Sequence, residues 1–312
     1  MESIWITDVS PRDGLQNQSK LLSTGDKLAL IGLLAAAGLR RVEVTSFVSP
    51  TSVPQMADAA DLLSLVIQQF PQLQPTVLVP NLRGLERARH AGAGEISVVL
   101  AATETMNRKN IKQGLTDATQ NCQDTVRAAK SMGMRTRAYL AVAFDCPFEG
   151  VTPVPTLIAL AQQMQAAQVD EIVIADTIGS ATPGRVRDCL SILGQGIPMN
   201  QLAMHFHDTR GLATANAWAA LEGGIRRFDA STGGLGGCPF APGAAGNLAT
   251  EDLVLMAQGS GFQTNIEIGG LLDVIEFAQL KIDRPLGGRS YSWLALQKLK
   301  GDLEARLLSQ FK

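Results

Sequence analysis

The stretch 171-EIVIADTIGSATPGRVRDCLSILGQGIPMNQLAMHFHD-208 holds one full period of a repeating pattern. A β-rich run, Glu171–Asp176, leads into a helical stretch, Pro183–Leu193, and then into a second β-rich run, Leu202–Asp208. Short apolar runs bounded by turn residues read as buried strands, and the longer stretch between them reads as a crossover helix. The same alternation extends in both directions. Upstream lie the candidate strands Ile4–Val9, Arg41–Phe47, Thr76–Pro80, Glu95–Leu100 and Thr136–Phe144, and downstream lies Phe228–Thr232. Between them run helical stretches at Asp26–Ala37, Pro54–Gln69, Leu82–Ala91, Ala118–Met132, Thr156–Ala167 and Thr214–Gly223. Eight strands, each followed by a helix, describe an α/β fold of the (β/α)8 TIM-barrel type. A doubly wound open sheet is the competing architecture, but the first strand-to-helix turn lacks a GxGxxG fingerprint.

No Pro/Ser-rich linker or charge run breaks the pattern, so residues 1–312 are expected to form one domain. The barrel should occupy about 1–261, with Glu251–Gln258 closing it. A short C-terminal helical extension over 262–312 should be interrupted by the loop Arg284–Gly288. A composition of 46% hydrophobic and 18% charged residues supplies a core, and a net charge of −2 gives no electrostatic footprint for nucleic acid or an anionic membrane. No apolar run approaches the roughly 18 residues of a membrane span. Met1 and Glu2 lead almost directly into Ile4–Val9 without a basic stretch, and Cys122, Cys146, Cys189 and Cys238 form no CxxC pair. The expectation is a cytoplasmic protein with free thiols.

A parallel barrel places its chemistry at the carboxyl ends of the strands. Arg12 and Asp13 follow the first strand, Glu43 lies within the second, Asp176 ends the sixth, and His205 and His207 end the seventh. Cys238 and Asn247 fall in the loop after the eighth. Residues i and i+2 of a strand share a face, so both imidazoles should point into the barrel mouth. Such a pair can chelate a divalent metal, and two hydrogen-bonded core histidines are the plainer alternative. His90, the third histidine, sits on a helix and reads as a surface residue. Glu43, a carboxylate in an apolar strand, needs a partner such as Arg12 or the metal cluster. Gly233–Pro239 reads GGLGGCP, a loop whose glycines permit backbone shapes closed to other residues and whose Cys238 is a candidate acid/base or nucleophile.

Five segments together resemble the hydroxymethylglutaryl-CoA lyase family, a branch of the pyruvate carboxyltransferase-like barrels. They are Pro11–Asn17 (PRDGLQN), Thr45–Pro50 (TSFVSP), His205–Thr209 (HFHDT), Gly234–Pro239 (GLGGCP) and Gly246–Leu253 (GNLATEDL). The resemblance implies a divalent cation, magnesium or manganese, held by Asp13, His205, His207 and Asn247. It implies that Arg12 contacts the thioester carbonyl, that Glu43 supports the site and that Cys238 takes part in proton transfer. Ser46, Asp176, Thr177 and Arg210 join Arg12 as expected substrate contacts. The implied reaction is metal-assisted cleavage of (S)-3-hydroxy-3-methylglutaryl-CoA to acetyl-CoA and acetoacetate. An acyl-CoA is then the expected small-molecule partner and a second copy of the chain (a homodimer) the candidate protein partner.

The chain departs from the family pattern at four places. Gln18-Ser19 stands for Glu-Lys, Val173 for a serine, Arg210-Gly211-Leu212 for Tyr-Gly-Gln, and Pro242 for a glutamine. These changes keep a related thioester such as citramalyl-CoA as the alternative substrate. Two further alternatives are weaker. A binding protein without catalysis is opposed by the retained polar set, and a condensing synthase by the Cys238 loop.

Overall fold

Eight parallel strands close on themselves in sequence order, each hydrogen-bonded to the next and the last to the first. They are β1 (Trp5–Asp8), β2 (Arg41–Ser46), β3 (Gln74–Leu78), β4 (Glu95–Ala101), β5 (Arg135–Ala141), β6 (Glu171–Asp176), β7 (Leu202–Phe206) and β8 (Arg227–Ala230). The structure, a computed structural model, describes residues 2–237 and 246–310. The expected (β/α)8 barrel is the observed one. Around it lie α1 (Thr24–Ala36), α2 (Ala59–Gln69), α3 (Leu82–His90), α4 (Glu104–Ile111), α5 (Leu115–Ser131), α6 (Val154–Ala166), α7 (Pro183–Leu193), α8 (Ala213–Glu222) and α9 (Thr250–Gly259). Then follow α10 (Ile268–Ile282) and α11 (Tyr291–Gln310), joined through the expected loop. None of the described helices is long and apolar enough to cross a membrane.

Strand β6 and helix α7 have the expected bounds, and most other ends shift by a few residues. Four local features differ more. The stretch expected as one helix over Pro54–Gln69 is a short 3-10 turn, Pro54–Met56, followed by α2. Helix α4 and the hairpin Asp145–Cys146/Gly150–Val151 stand where no element was expected. Strand β7 ends at Phe206, so His207 lies one residue beyond it.

The space between barrel and helices is filled with aliphatic residues such as Ile31, Leu63, Val66, Leu190 and Leu253. Inside the barrel a small cluster of Val173, Ala175 and Ala203 around Tyr139 stands beside a column of charged side chains. At the amino-terminal pole, Arg41 pairs with Glu95 at 3.0 Å, and Glu171 lies 3.3 Å from Arg227. Higher up, the buried Arg137 reaches Glu171 at 2.6 Å and Asp229 at 2.7 Å. Buried charges endure only when paired, and here each has its counter-charge. The polar column leads upward to the carboxyl rim.

Candidate active site

The chain leaves β1 through a five-residue π-helical turn, Ser10–Gly14, in which the Gly14 amide reaches back to Val9 O at 3.1 Å. The sequence suggested an ordinary loop here. The wide turn instead carries Arg12 and Asp13 together over the barrel mouth, a use π turns often have. Asp8 anchors its base. Its buried carboxylate accepts from Ser10 N (2.9 Å) and Oγ (2.5 Å), Thr232 N (3.0 Å) and Oγ1 (2.6 Å), and Thr250 Oγ1 (2.8 Å). One side chain thus ties the loop after β1 to the loop after β8 and to the start of α9.

Arg12 donates from Nε to Glu43 Oε2 at 2.6 Å and from Nη1 to Asp13 Oδ1 at 2.8 Å. Glu43 also accepts from Ser97 Oγ at 2.8 Å. The partner that Glu43 required is therefore Arg12. Burial pushes the Glu43 carboxyl up despite Arg12 beside it. Burial acts the same way on Asp13, but Arg12, His205 and His207 outweigh it and hold that carboxyl below its ordinary value. The two carboxylates flanking one guanidinium are thereby driven in opposite directions.

The segment 246–249 returns to the mouth between the ends of β7 and β8. Asn247 bridges His207, Leu248 N donates to Phe206 O at 2.8 Å, and Ser231 pairs with Ala249. This return delivers Asn247, whose Nδ2 donates to Asp13 Oδ2 at 2.8 Å and to Leu235 O at 3.1 Å. Its Oδ1 is buried and has no hydrogen-bond partner among the described residues. Ligand atoms of Asp13, His205 and His207 all lie within 4.8 Å of one another. A carboxylate, two imidazoles and an orphaned amide oxygen form a donor set that fits one divalent cation.

The remaining expected residues fall as follows. Ser46 Oγ is buried without a partner among the described residues. Asp176 spends both oxygens on the loop after β6, accepting from Ser180 N at 2.8 Å and Ala181 N at 2.9 Å. Thr177 Oγ1 accepts from Val142 N at 2.8 Å. Arg210 is exposed at the rim, and its charge acts on Asp145. Cys238 and Pro242 lie outside the described residues, although Gly237 O just before them accepts from Asn17 Nδ2 at 3.0 Å. Val173 is fully buried against Tyr139, Ala175 and Ala203 inside the barrel. His90 is exposed on α3, as expected.

Sequence reasoning missed Asp229 and Tyr139. Asp229 Oδ2 lies 3.4 Å from His205 Nδ1 and accepts from Tyr139 Oη at 2.5 Å. Burial opposes its charge, but Arg137 and His205 prevail and hold it well below the usual carboxylate range. In return Asp229 raises His205, against the pull of burial. The signal was present in the sequence, since an acid within the apolar run Phe228–Thr232 poses the same question as Glu43.

A closed parallel barrel with carboxylates, imidazoles and an arginine converging on its carboxyl rim defines the α/β-barrel enzymes that work at that rim. The profile of the HMGL-like family matches residues 3–278, and the chain belongs to that family. It is 43% identical over 279 residues to the human mitochondrial hydroxymethylglutaryl-CoA lyase, covering 89% of this chain and 86% of that one. The crystal structure of the Bacillus subtilis HMG-CoA lyase superposes with a TM-score of 0.91 at 40% identity, covering 95% of this chain and 99% of that one. An Acinetobacter baumannii HMG-CoA lyase in complex with coenzyme A and 3-methylmalate superposes at 0.88 with 35% identity, covering 93% and 94%.

Proposed function

We propose that this chain is a carbon–carbon lyase that cleaves (S)-3-hydroxy-3-methylglutaryl-CoA to acetyl-CoA and acetoacetate. The observation that carries the reading is the donor set at the mouth, Asp13, His205 and His207 with the orphaned Oδ1 of Asn247, beside the Arg12 guanidinium. The similarity to HMG-CoA lyases over nearly the whole chain supports the choice of substrate. Asp13, His205, His207 and Asn247 would hold magnesium or manganese. A cation held by these residues would supply the Lewis acidity that lets the C3 hydroxyl lose its proton near neutral pH.

Asp13 carries the deprotonated carboxylate needed to take that proton. The C2–C3 bond then breaks, giving acetoacetate and the enolate of acetyl-CoA. Arg12, set in place by Glu43, faces the thioester oxygen on which charge develops, an interaction stronger in the transition state than in the ground state. Cys238 returns a proton to the enolate carbon. The glycine-rich segment before it keeps water out while that carbon is basic.

Purified protein supplied with Mg2+ should release acetyl-CoA and acetoacetate in equal amounts from this thioester. EDTA should stop the reaction and Mg2+ or Mn2+ should restore it. Turnover of citramalyl-CoA alone, or no turnover of either thioester with metal bound, overturns the assignment.

A further inference from the structure

Beneath the rim, four buried side chains form a continuous chain of contacts. Arg137 Nη2 donates to Asp229 Oδ1 at 2.7 Å, while its Nε holds Glu171 at 2.6 Å. Tyr139 Oη donates to Asp229 Oδ2 at 2.5 Å, and the same oxygen faces His205 Nδ1 at an ion-pair distance of 3.4 Å, where that buried nitrogen makes no hydrogen bond among the described residues. Arg137 Nη1 also reaches Tyr139 Oη at 3.1 Å, which turns the hydroxyl proton toward the carboxylate. Tyr139 packs edge-on to the His205 ring at a centroid distance of 6.0 Å. His205 and Asp229 sit on adjacent strands as register partners. The barrel closure itself therefore fixes their separation.

We propose that Asp229 is a positioning residue that aims His205 and fixes its tautomer, and that Tyr139 tempers it by competing for the same oxygen. The inference rests on the reading that His205 is a metal ligand. With Nδ1–H turned toward Asp229, only Nε2 remains to meet a cation at the mouth. A carboxylate accepting from the far nitrogen of an imidazole makes the near nitrogen a stronger donor to metal. Tyr139 spends part of that carboxylate's acceptor strength. Arg137 holds the other oxygen and prevents Asp229 from rotating away. The device therefore has one residue that strengthens the ligand and one that weakens it.

This arrangement makes a prediction of opposite signs that a purely structural role does not make. Mn2+ affinity is measured on the full chain without substrate, by the electron paramagnetic resonance signal of free Mn2+, for wild type, Asp229→Asn, Tyr139→Phe and His205→Ala. Asp229→Asn should weaken binding by about 10–100-fold, the usual consequence of losing such a partner. Tyr139→Phe keeps the ring against His205 but removes the competing donor, so binding should tighten. If Asp229→Asn fails to fold, the sign of the Tyr139→Phe effect decides alone. Unchanged or weaker binding in Tyr139→Phe overturns the inference, as does unchanged binding in a folded Asp229→Asn protein. Wild-type protein that binds no Mn2+, or a His205→Ala variant that binds as wild type does, overturns the metal assignment itself and this inference with it.

Discussion

Arg12 faces two carboxylates with one planar group, and that geometry is why lysine cannot replace it. Its Nε and Nη2 lie 2.6 and 2.5 Å from Glu43 Oε2, and its Nη1 lies 2.8 Å from Asp13 Oδ1. An ammonium is a point charge on a flexible stem and would lose the bridge between the two acids. Arg12→Lys should therefore lower kcat by about 10²–10³-fold, the range for removing a positioned donor at a developing oxyanion. Mn2+ affinity should change much less, because the positive charge near Asp13 remains. Steady-state kinetics beside a metal titration would check both halves, and a parallel loss of metal would assign Arg12 to the cation site instead. At this scale the sequence was informative wherever a polar residue interrupts an apolar strand, as at Glu43 and the two histidines. It was uninformative about which carboxylate pairs with which cation. Asp176 shows the limit: its position at the end of β6 places it at the rim, but nothing in the sequence says that its oxygens accept from the loop amides of Ser180 and Ala181. Strand-end position and hydrogen-bond partner are separate properties, and only three-dimensional neighbours decide the second.

The return after β8 shows how a backbone can place a ligand. A Cβ built on Gly246 would lie 1.7 Å from Gly234 O, and one on Gly236, at φ +137°, would lie 2.5 Å from Asn247 Nδ2. The glycine-rich segment and the Asn247 segment thus touch main chain to main chain, an approach open only to glycine. Gly246→Ala should separate them and move Asn247 off the mouth. The expected outcome is metal affinity lower by at least about 10-fold, since the change displaces a ligand directly. Unfolding in urea should show a stability loss of about 1–3 kcal/mol, for strain at the surface of an intact barrel. Wild-type metal affinity in the variant would mean that the two segments separate without carrying Asn247 along. Strand and helix order was legible because alternating β-rich and Ala/Leu-rich runs are a local property. The π turn at Ser10–Gly14 was not, because Asp8 at its base is held by the distant Thr232 and Thr250. Nor was the hairpin at residues 145–151, whose two-residue strands are too short to show an alternation.

The barrel is tied to its C-terminal helices by two neighbouring acids at the start of α9, and one of them makes stability depend on pH. Glu251 accepts from Gly233 N at 3.0 Å and Gly288 N at 2.7 Å, while Asp252 accepts from Arg289 N at 2.7 Å and Ser290 N at 2.8 Å. Through them the loop between α10 and α11 is held against the segment that leads toward Cys238. Burial pushes the Glu251 carboxyl up to about 7, against the pull of the two amides that donate to it. The folded protein then holds a proton that the unfolded chain, titrating near an ordinary glutamate value of about 4.3, has already released. Between roughly pH 4.5 and 7 the native state binds more protons, so this group's contribution to stability falls as pH rises and levels off above 7. An upper bound on the change is about 4 kcal/mol, at 1.36 kcal/mol for each unit of displacement. Glutamine does not titrate, so Glu251→Gln serves as the reference. It trades one amide contact for a pH-independent loss. Urea midpoints of both proteins, measured without metal from pH 5 to 8, should diverge. Wild type should lose stability relative to Glu251→Gln across that range, most steeply near pH 5–6 and less so as the pH passes 7, whereas parallel curves would mean that Glu251 is ionised throughout and that its two amides overcome its burial.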